Sequence, residues 1–223
     1  MTALPAYESP AFYIKICGMR DRQLTRLAVE LGADAIGVVM SPGTPRDASE
    51  AEAAAVIAAA KAVNPTVDTV LVVNKMDASD AAKVAVRLGF DVLQLHGRYV
   101  AADVAAAAEI IPRVWRAASL AHFPDIIPGE FGEERLLLDG ADPGSGARWS
   151  FDDRAPEEFG AGWLLAGGLS PDNVTEAVAR LRPAGVDVSS GVESLPGVKD
   201  ASRIEAFISA ARAGAEAASR RGF

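Results

Sequence analysis

The sequence predicts a single-domain α/β protein, a (β/α)8 barrel of the TIM type, and three observations support that prediction. Short apolar, β-branched runs alternate with alanine-rich helical stretches along the chain, which gives eight strand–helix pairs. The predicted strands are nearly continuous in apolar residues, as expected of parallel strands buried on both faces. A length of 223 residues suits one closed barrel of eight units better than an open doubly wound sheet.

The predicted strands cover residues 12–17, 35–40, 68–73, 92–95, 114–117, 136–139, 162–166 and 186–189. The predicted helices cover residues 21–31, 49–62, 79–88, 101–111, 120–127, 151–159, 171–181 and 201–213. Residues 1–11 contain two prolines and no periodic pattern, so we expect a flexible N-terminal extension there. The barrel then occupies 12–214, and 215–223 form a C-terminal tail.

Composition narrows the possible classes of function. Half of the residues are hydrophobic, enough for a large core, and a net charge of −8 argues against a nucleic-acid or anionic-membrane surface. A single cysteine excludes an intramolecular disulfide, which fits a reducing compartment. The sequence shows no leader pattern and no apolar stretch of membrane-spanning length, so we expect a cytoplasmic location.

A thiol and a carboxylate each end a predicted strand, because Cys17 closes the first apolar run and Asp139 follows three leucines. In such barrels the chemistry collects at the C-terminal ends of the strands, so the two form a candidate base and acid. The alternatives are a small buried cysteine and a loop-orienting or helix-capping aspartate. Lys15 lies on the same strand face as Cys17. Its positive charge either helps to lower the pKa of the thiol or is paired with a carboxylate inside the barrel.

Two further polar residues follow predicted strands. Arg46 ends the proline-rich loop 41–46, and its guanidinium suits a bidentate contact with a carboxylate, unless it is an ordinary surface arginine. His96 ends the fourth strand and is either a substrate contact or a hydrogen-bonded structural histidine. The only other histidine is His122, so a His-rich metal site cannot be assembled, although carboxylates could still hold a hard cation. We expect no metal and no cofactor.

Glycine- and serine-rich turns follow the seventh and eighth predicted strands, at 167–168 and 189–191. In barrels, the loops at these two positions often form a phosphate site from backbone N–H groups at the start of a short helix. Glycines let the backbone approach the ligand, and serine hydroxyls add donors. We therefore predict that these two turns form a phosphate-binding site.

Taken together and in order, these segments resemble phosphoribosylanthranilate isomerases. The resemblance spans roughly residues 12–212, and its motifs are weak singly but specific as an ordered set. They are Lys15-Ile16-Cys17-Gly18, Ser-Pro-x-x-x-Arg at 41–46, Gln94-Leu95-His96-Gly97, Leu138-Asp139, Gly144-Ser145-Gly146, Gly-Gly-Leu-x-Pro-x-Asn-Val at 167–174 and Val-Asp-Val-Ser-Ser-Gly-Val-Glu at 186–193.

The resemblance implies a cofactor-free (β/α)8 enzyme of tryptophan biosynthesis. Such an enzyme converts N-(5-phosphoribosyl)anthranilate into 1-(2-carboxyphenylamino)-1-deoxyribulose 5-phosphate by an Amadori rearrangement. By resemblance, Asp139 is the general acid that protonates the ring oxygen, and Cys17 is the general base that removes the C2 proton. The implied substrate contacts are Arg46, for the anthranilate carboxylate, and Gly168, Ser190 and Gly191, in the phosphate loops. His96 is added as a candidate substrate contact from its place at the end of the fourth strand.

Two alternatives stay open at this stage. Phosphoribosyl-sugar isomerases of histidine biosynthesis, or a dual-substrate version, share the phosphate loops and the chemistry but are expected to carry an aspartate where Cys17 stands. A non-catalytic phosphate-binding barrel would bind its ligand without turnover. The expected partner is the phosphorylated sugar–anthranilate substrate, with no nucleic acid and no membrane, bound by a monomer or a homodimer.

Overall fold

A computed structural model describes residues 12–119, 122–123, 125–139 and 162–220. Its eight parallel strands form a closed barrel, in which each strand pairs with the next and β8 pairs with β1. The strands are β1 (Tyr13–Ile16), β2 (Ala35–Val39), β3 (Asp68–Val73), β4 (Val92–His96), β5 (Val114–Ser119), β6 (Arg135–Asp139), β7 (Trp163–Ala166) and β8 (Gly185–Val188). The predicted (β/α)8 barrel is confirmed.

Within the described ranges, six helices surround the barrel. They are α1 (Arg22–Glu30), α2 (Glu50–Val63), α3 (Ala78–Leu88), α4 (Ala101–Ala108), α5 (Val174–Leu181) and α6 (Ala201–Arg220). None of these helices is long and apolar enough to cross a membrane. A single 3-10 turn (Ser190–Val192) and a hairpin of β9 (Glu193–Leu195) and β10 (Val198–Lys199) lie between β8 and α6. The apolar pattern did not indicate this hairpin, because its strands are too short to show one.

The strand bounds agree with the prediction to within two residues, whereas the helices differ more. The helix predicted at 120–127 is wrong for the described residues there, which form turns and irregular backbone. Pro124 and Pro128 lack the backbone N–H that a helix needs. The helix predicted at 151–159 lies outside the described residues, as does the extension at 1–11. The last helix continues to Arg220, seven residues beyond its predicted end at 213.

The fifth observed helix begins at Val174, although Pro171 was expected at a first helical position. The side chain of Asn173 explains the difference. It accepts from the Ser170 N–H at 2.8 Å and donates to the Gly168 carbonyl at 2.9 Å. These bonds hold the segment before the helix as a turn and fix the glycine-rich loop that follows β7.

The strands divide the core into two parts. One face of each strand points into the barrel, where the apolar cluster includes Tyr13, Val70, Trp115 and Leu164. The other face packs against the helices in a larger cluster. Because side chains alternate along a strand, Cys17 shares its inward face with Tyr13 and emerges at the barrel mouth.

An ion-pair network closes the opposite, N-terminal end of the barrel. The carboxylate of Asp68 is 5 % exposed and accepts hydrogen bonds from the Tyr13 hydroxyl and from two nitrogens of Arg113. Arg113 also donates to Glu134 at 2.8 and 2.9 Å. The guanidinium therefore compensates a buried charge that an apolar barrel floor could not hold alone.

We predict that Arg113→Met lowers the free energy of unfolding by about 3 kcal/mol, because Asp68 would keep a buried charge without its main partner. Urea unfolding followed by circular dichroism measures the change. The control is Arg87→Met, which breaks an exposed pair with Glu50 and should leave the unfolding midpoint unchanged. Equal midpoints for the two variants would contradict the role assigned to Arg113.

Candidate active site

A pocket of about 300 Å³ opens at the C-terminal end of the barrel. Six of the seven residues predicted for the site line it, namely Cys17, Arg46, His96, Asp139, Gly168 and Ser190. The seventh, Gly191, follows Ser190 in the 3-10 turn. The sequence-based prediction that these residues come together is thus supported, since they reach one cavity from strands and loops far apart in the chain.

Cys17 follows β1 and is held from both sides by the neighbouring strand β8. Its backbone N–H donates to the Val188 carbonyl at 2.8 Å, and its carbonyl accepts from the Ser189 hydroxyl at 3.2 Å. The residue is only 5 % exposed. Burial raises the pKa of its thiol, and the positive charges of Lys15 and Lys199 act against that rise.

Gly37 on β2 provides the space that the thiol occupies. A Cβ at this position would lie 2.9 Å from Cys17 Sγ and 3.1 Å from Lys15 Nζ, closer than the packing allows. The strand pattern alone did not indicate a role for Gly37. A glycine inside an apolar strand was the available signal, because such glycines often mark a close approach.

The predicted acid has a histidine partner. Asp139 ends β6, its side chain is 21 % exposed, and its Oδ2 lies 3.3 Å from His96 Nε2 at the end of β4. The hydrogen bond to Asp139 raises the pKa of His96 above its ordinary value, although burial acts in the opposite direction. His96 therefore pairs with a carboxylate and also lines the pocket.

Arg46 reaches the pocket with part of its guanidinium already engaged. Its Nε and Nη2 donate to the two carboxylate oxygens of Glu193 at 2.7 and 2.8 Å. The bidentate contact expected with a ligand is thus made inside the protein. Its Nη1 has no hydrogen-bond partner among the residues that the structure describes.

Glu193 joins two cations at the edge of the pocket. Besides Arg46, it accepts from the Lys199 ammonium at 2.8 Å, and Lys199 also donates to the Ser189 carbonyl at 2.9 Å. Burial alone would raise the pKa of Glu193, but the hydrogen bonds from Arg46 and Lys199 lower it to about 2. Sequence reasoning assigned Glu193 and Lys199 no role, because their contact depends on the unpredicted hairpin.

The two loops expected to bind phosphate touch each other backbone to backbone. A Cβ at Gly191 would lie 1.8 Å from the Leu169 carbonyl oxygen, so only glycine allows this approach. The backbone N–H groups of Gly168, Ser190 and Gly191 meet no acceptor within the described part of the chain. Unpaired backbone donors in two loops that touch each other suit an anion such as phosphate.

Comparison with known proteins identifies the family. The family model described as N-(5'-phosphoribosyl)anthranilate (PRA) isomerase matches residues 14–210. The chain belongs to this family. The N-(5'-phosphoribosyl)anthranilate isomerase of Roseiflexus sp. strain RS-1 is 41 % identical over 214 residues, which cover 91 % of this chain and 99 % of that protein.

Solved structures support the same family assignment. TrpF from Jonesia denitrificans superposes with a TM-score of 0.84 at 48 % identity, covering 93 % of this chain and 100 % of its own. A phosphoribosyl anthranilate isomerase crystallised with reduced 1-(o-carboxyphenylamino)-1-deoxyribulose 5-phosphate superposes with a TM-score of 0.74 at 30 % identity, with 90 % and 98 % coverage. The resemblance drawn from the ordered motifs is confirmed.

We predict that Gly191→Ala weakens the binding of inorganic phosphate at least about tenfold, or 1.4 kcal/mol. The added Cβ would push the loop after β8 away from the loop after β7 and separate the donors. Isothermal titration calorimetry measures the affinity. Gly162→Ala is the matched control, since a Cβ there meets open space, and it should bind as the wild type does. A folded Gly191→Ala protein with unchanged affinity would show that the loop contact is not required.

A second prediction concerns Glu193 and acid stability. Its pKa falls from 4.5 to about 2 on folding, so its stabilising contribution is complete above about pH 4.5 and is lost as the pH falls towards 2. Glu193→Gln should therefore be less stable than the wild type at neutral pH, with a difference that shrinks in acid. Urea unfolding between about pH 5 and pH 3 tests this trend. Glu176→Gln, an exposed change on α5, should show no such trend, and a constant deficit for Glu193→Gln would be the contrary result.

Proposed function

We propose that this pocket converts N-(5-phosphoribosyl)anthranilate into 1-(2-carboxyphenylamino)-1-deoxyribulose 5-phosphate, with Cys17 as base and Asp139 as acid. Isomerisation of phosphoribosylanthranilate, a step of tryptophan biosynthesis, is the activity of the family to which the chain belongs. The observation that supports the residue assignment is one cavity that contains both a thiol and a carboxylate. The thiol belongs to Cys17, directly after β1, and the carboxylate to Asp139, at the end of β6. Strands β7 and β8 lie between β6 and β1 along the barrel wall.

The order of the strands supports an orientation for the substrate. The phosphate loops follow β7 and β8, and Arg46 lies in the loop after β2. Since β1 lies between β8 and β2, Cys17 sits between the phosphate anchor and the arginine. A phosphate at Ser190 and a carboxylate at Arg46 Nη1 would hold the ribose beside the thiol. Fixing both ends of a substrate in this way is an effective means of lowering the barrier.

The reaction then needs one proton donor and one acceptor. Asp139 protonates the ring oxygen, the furanose opens, and the anthranilate nitrogen forms a Schiff base with C1. The thiolate of Cys17 removes the proton from C2, which gives an enolamine that tautomerises to the ketone. The product is an isomer of the substrate, so no electron acceptor or donor is consumed. Each positioned group contributes about 10²–10⁴-fold in rate.

The hydrogen bond between His96 and Asp139 brings a second proton-carrying group to the proposed acid. Because this bond raises the pKa of His96, the imidazole holds its proton at higher pH than a free imidazole would. Transfer from His96 Nε2 to the carboxylate, 3.3 Å away, would recharge Asp139 between turnovers. His96 thus takes part in proton supply as well as in lining the substrate pocket.

The partner that we propose is the small phosphorylated sugar–anthranilate substrate alone, handled in the cytoplasm by a monomer or homodimer. The net charge of −8 supports this proposal, because it disfavours binding to nucleic acid or to an anionic membrane. It also means that an anionic substrate must be captured by local groups. Arg46 and the backbone N–H groups of the two phosphate loops are suited to that task.

We predict that Cys17→Ala and Asp139→Asn each reduce kcat by about 10²–10⁴-fold, because each removes one proton-transfer group. Loss of the anthranilate fluorescence of freshly generated phosphoribosylanthranilate, corrected for its spontaneous decay, measures turnover. Binding of inorganic phosphate should remain, since the loops after β7 and β8 are untouched.

The control for these two variants is Asp80→Asn on α3, where the aspartate is exposed and, among the described residues, forms an ion pair with Lys83 alone. It should keep wild-type turnover. If Cys17→Ala or Asp139→Asn kept a kcat near that of the wild type, the role assigned to that residue would be wrong. Phosphate binding without turnover by the wild type would instead favour a non-catalytic barrel.

A further inference from the structure

A charged pair lies inside the barrel next to the proposed base. The side chain of Lys15 is 0 % exposed, and its Nζ lies 2.9 Å from Asp187 Oδ1. The two residues are direct register neighbours on β1 and β8, so the pair is built into the strand pairing. Burial of an ammonium group is costly, and Asp187 compensates enough that the pKa of Lys15 stays above its ordinary value. Lys15 is therefore a permanent cation within the barrel.

The ammonium group of Lys15 is close to the thiol. The Cβ position of Gly37 is 2.9 Å from Cys17 Sγ and 3.1 Å from Lys15 Nζ, so these two atoms are less than about 6 Å apart. At such a distance an opposite charge favours the ionised form of a thiol, and a like charge disfavours it. No side chain at Gly37 separates the two groups.

Other charged groups also face the thiol and must be considered. Lys199 on β10 acts on Cys17 in the same direction as Lys15, but Glu193 is bonded to it. The guanidinium of Arg46, after β2, also interacts with the thiol. His96 and Asp139 line the same pocket from β4 and β6. In contrast to these groups, Lys15 lies on β1 and Asp187 on β8, the two strands that hold the backbone of Cys17.

We propose that Lys15 and Asp187 are positioning residues that set the proton affinity of Cys17 in opposite directions. Lys15 stabilises the thiolate, and Asp187 holds Lys15 in place while opposing the thiolate by its own charge. The catalytic meaning of this effect rests on the proposed function, in which the thiolate is the base. The electrostatic effect itself is independent of turnover and can be measured on the free protein.

The single cysteine makes that measurement direct, because alkylation by iodoacetamide reports on Cys17 alone. Lys15→Met should move the pH profile of alkylation upward by about one unit, and so slow the reaction about tenfold at a pH below the thiol pKa. Asp187→Asn should move the profile downward. Damage to packing alone would not shift the two profiles in opposite directions.

Matched controls limit the interpretation. Lys83→Met removes an exposed lysine on α3 and should leave the profile at its wild-type position. Cys17→Ala gives the background reaction of the reagent. In the isomerase assay, the rising limb of kcat/KM against pH should follow the alkylation profile in each variant.

Lys15→Met leaves Asp187 without its partner and can fail to fold, so two further proteins decide the question. Asp187→Asn alone must shift the pH profile of alkylation downward. The profile of the double variant Lys15→Met/Asp187→Asn must lie at higher pH than the profile of Asp187→Asn. Unchanged profiles, or shifts in one direction for both folded single variants, would overturn the inference. Turnover retained by Cys17→Ala would instead overturn the proposed base and leave the electrostatic result intact.

Discussion

The seam between β1 and β8 is the constraint on which the site depends. It closes the barrel, and its register sets Lys15 opposite Asp187 and Ile16 opposite Val188. The two backbones are so close that a Cβ at Gly185 would lie 2.1 Å from the Tyr13 carbonyl oxygen. Because Cys17 follows directly on this seam, the proposed base is fixed by backbone hydrogen bonds from the far end of the chain. A change in that register by one residue would turn its side chain away from the pocket.

Charge in the pocket is arranged in pairs, although the substrate proposed for it is anionic at both ends. Lys15 pairs with Asp187, and Arg46 and Lys199 share Glu193. These carboxylates neutralise most of the cationic field, which limits the cost of burying it. Among the described residues, the groups left to bind a ligand are one guanidinium nitrogen of Arg46 and the unpaired backbone N–H groups of the two phosphate loops. Such groups select by position as well as by charge.

The sequence predicted the barrel and most of the site for a common physical reason. Parallel strands bring their C-terminal ends to one mouth, so residues at the ends of apolar runs, such as Cys17 and Asp139, could be grouped without any structure. Their partners could not be predicted. Lys15 and Asp187 are 172 residues apart, and Arg46 and Glu193 are 147 apart, so each contact depends on register or on the β9–β10 hairpin. Local pattern contains neither kind of information.

The hairpin contact also connects the two ends of the pocket. Arg46 is bonded to Glu193, Glu193 to Lys199, and Lys199 to the Ser189 carbonyl, beside the phosphate loop. The Ser189 hydroxyl in turn donates to the Cys17 carbonyl. Hydrogen bonds therefore link the residues proposed to bind the substrate's carboxylate and its phosphate with Cys17, which is proposed to remove the C2 proton. Side chains fixed in this way lose little conformational entropy when the substrate binds, so more of the binding free energy is available to align C2 with the thiol.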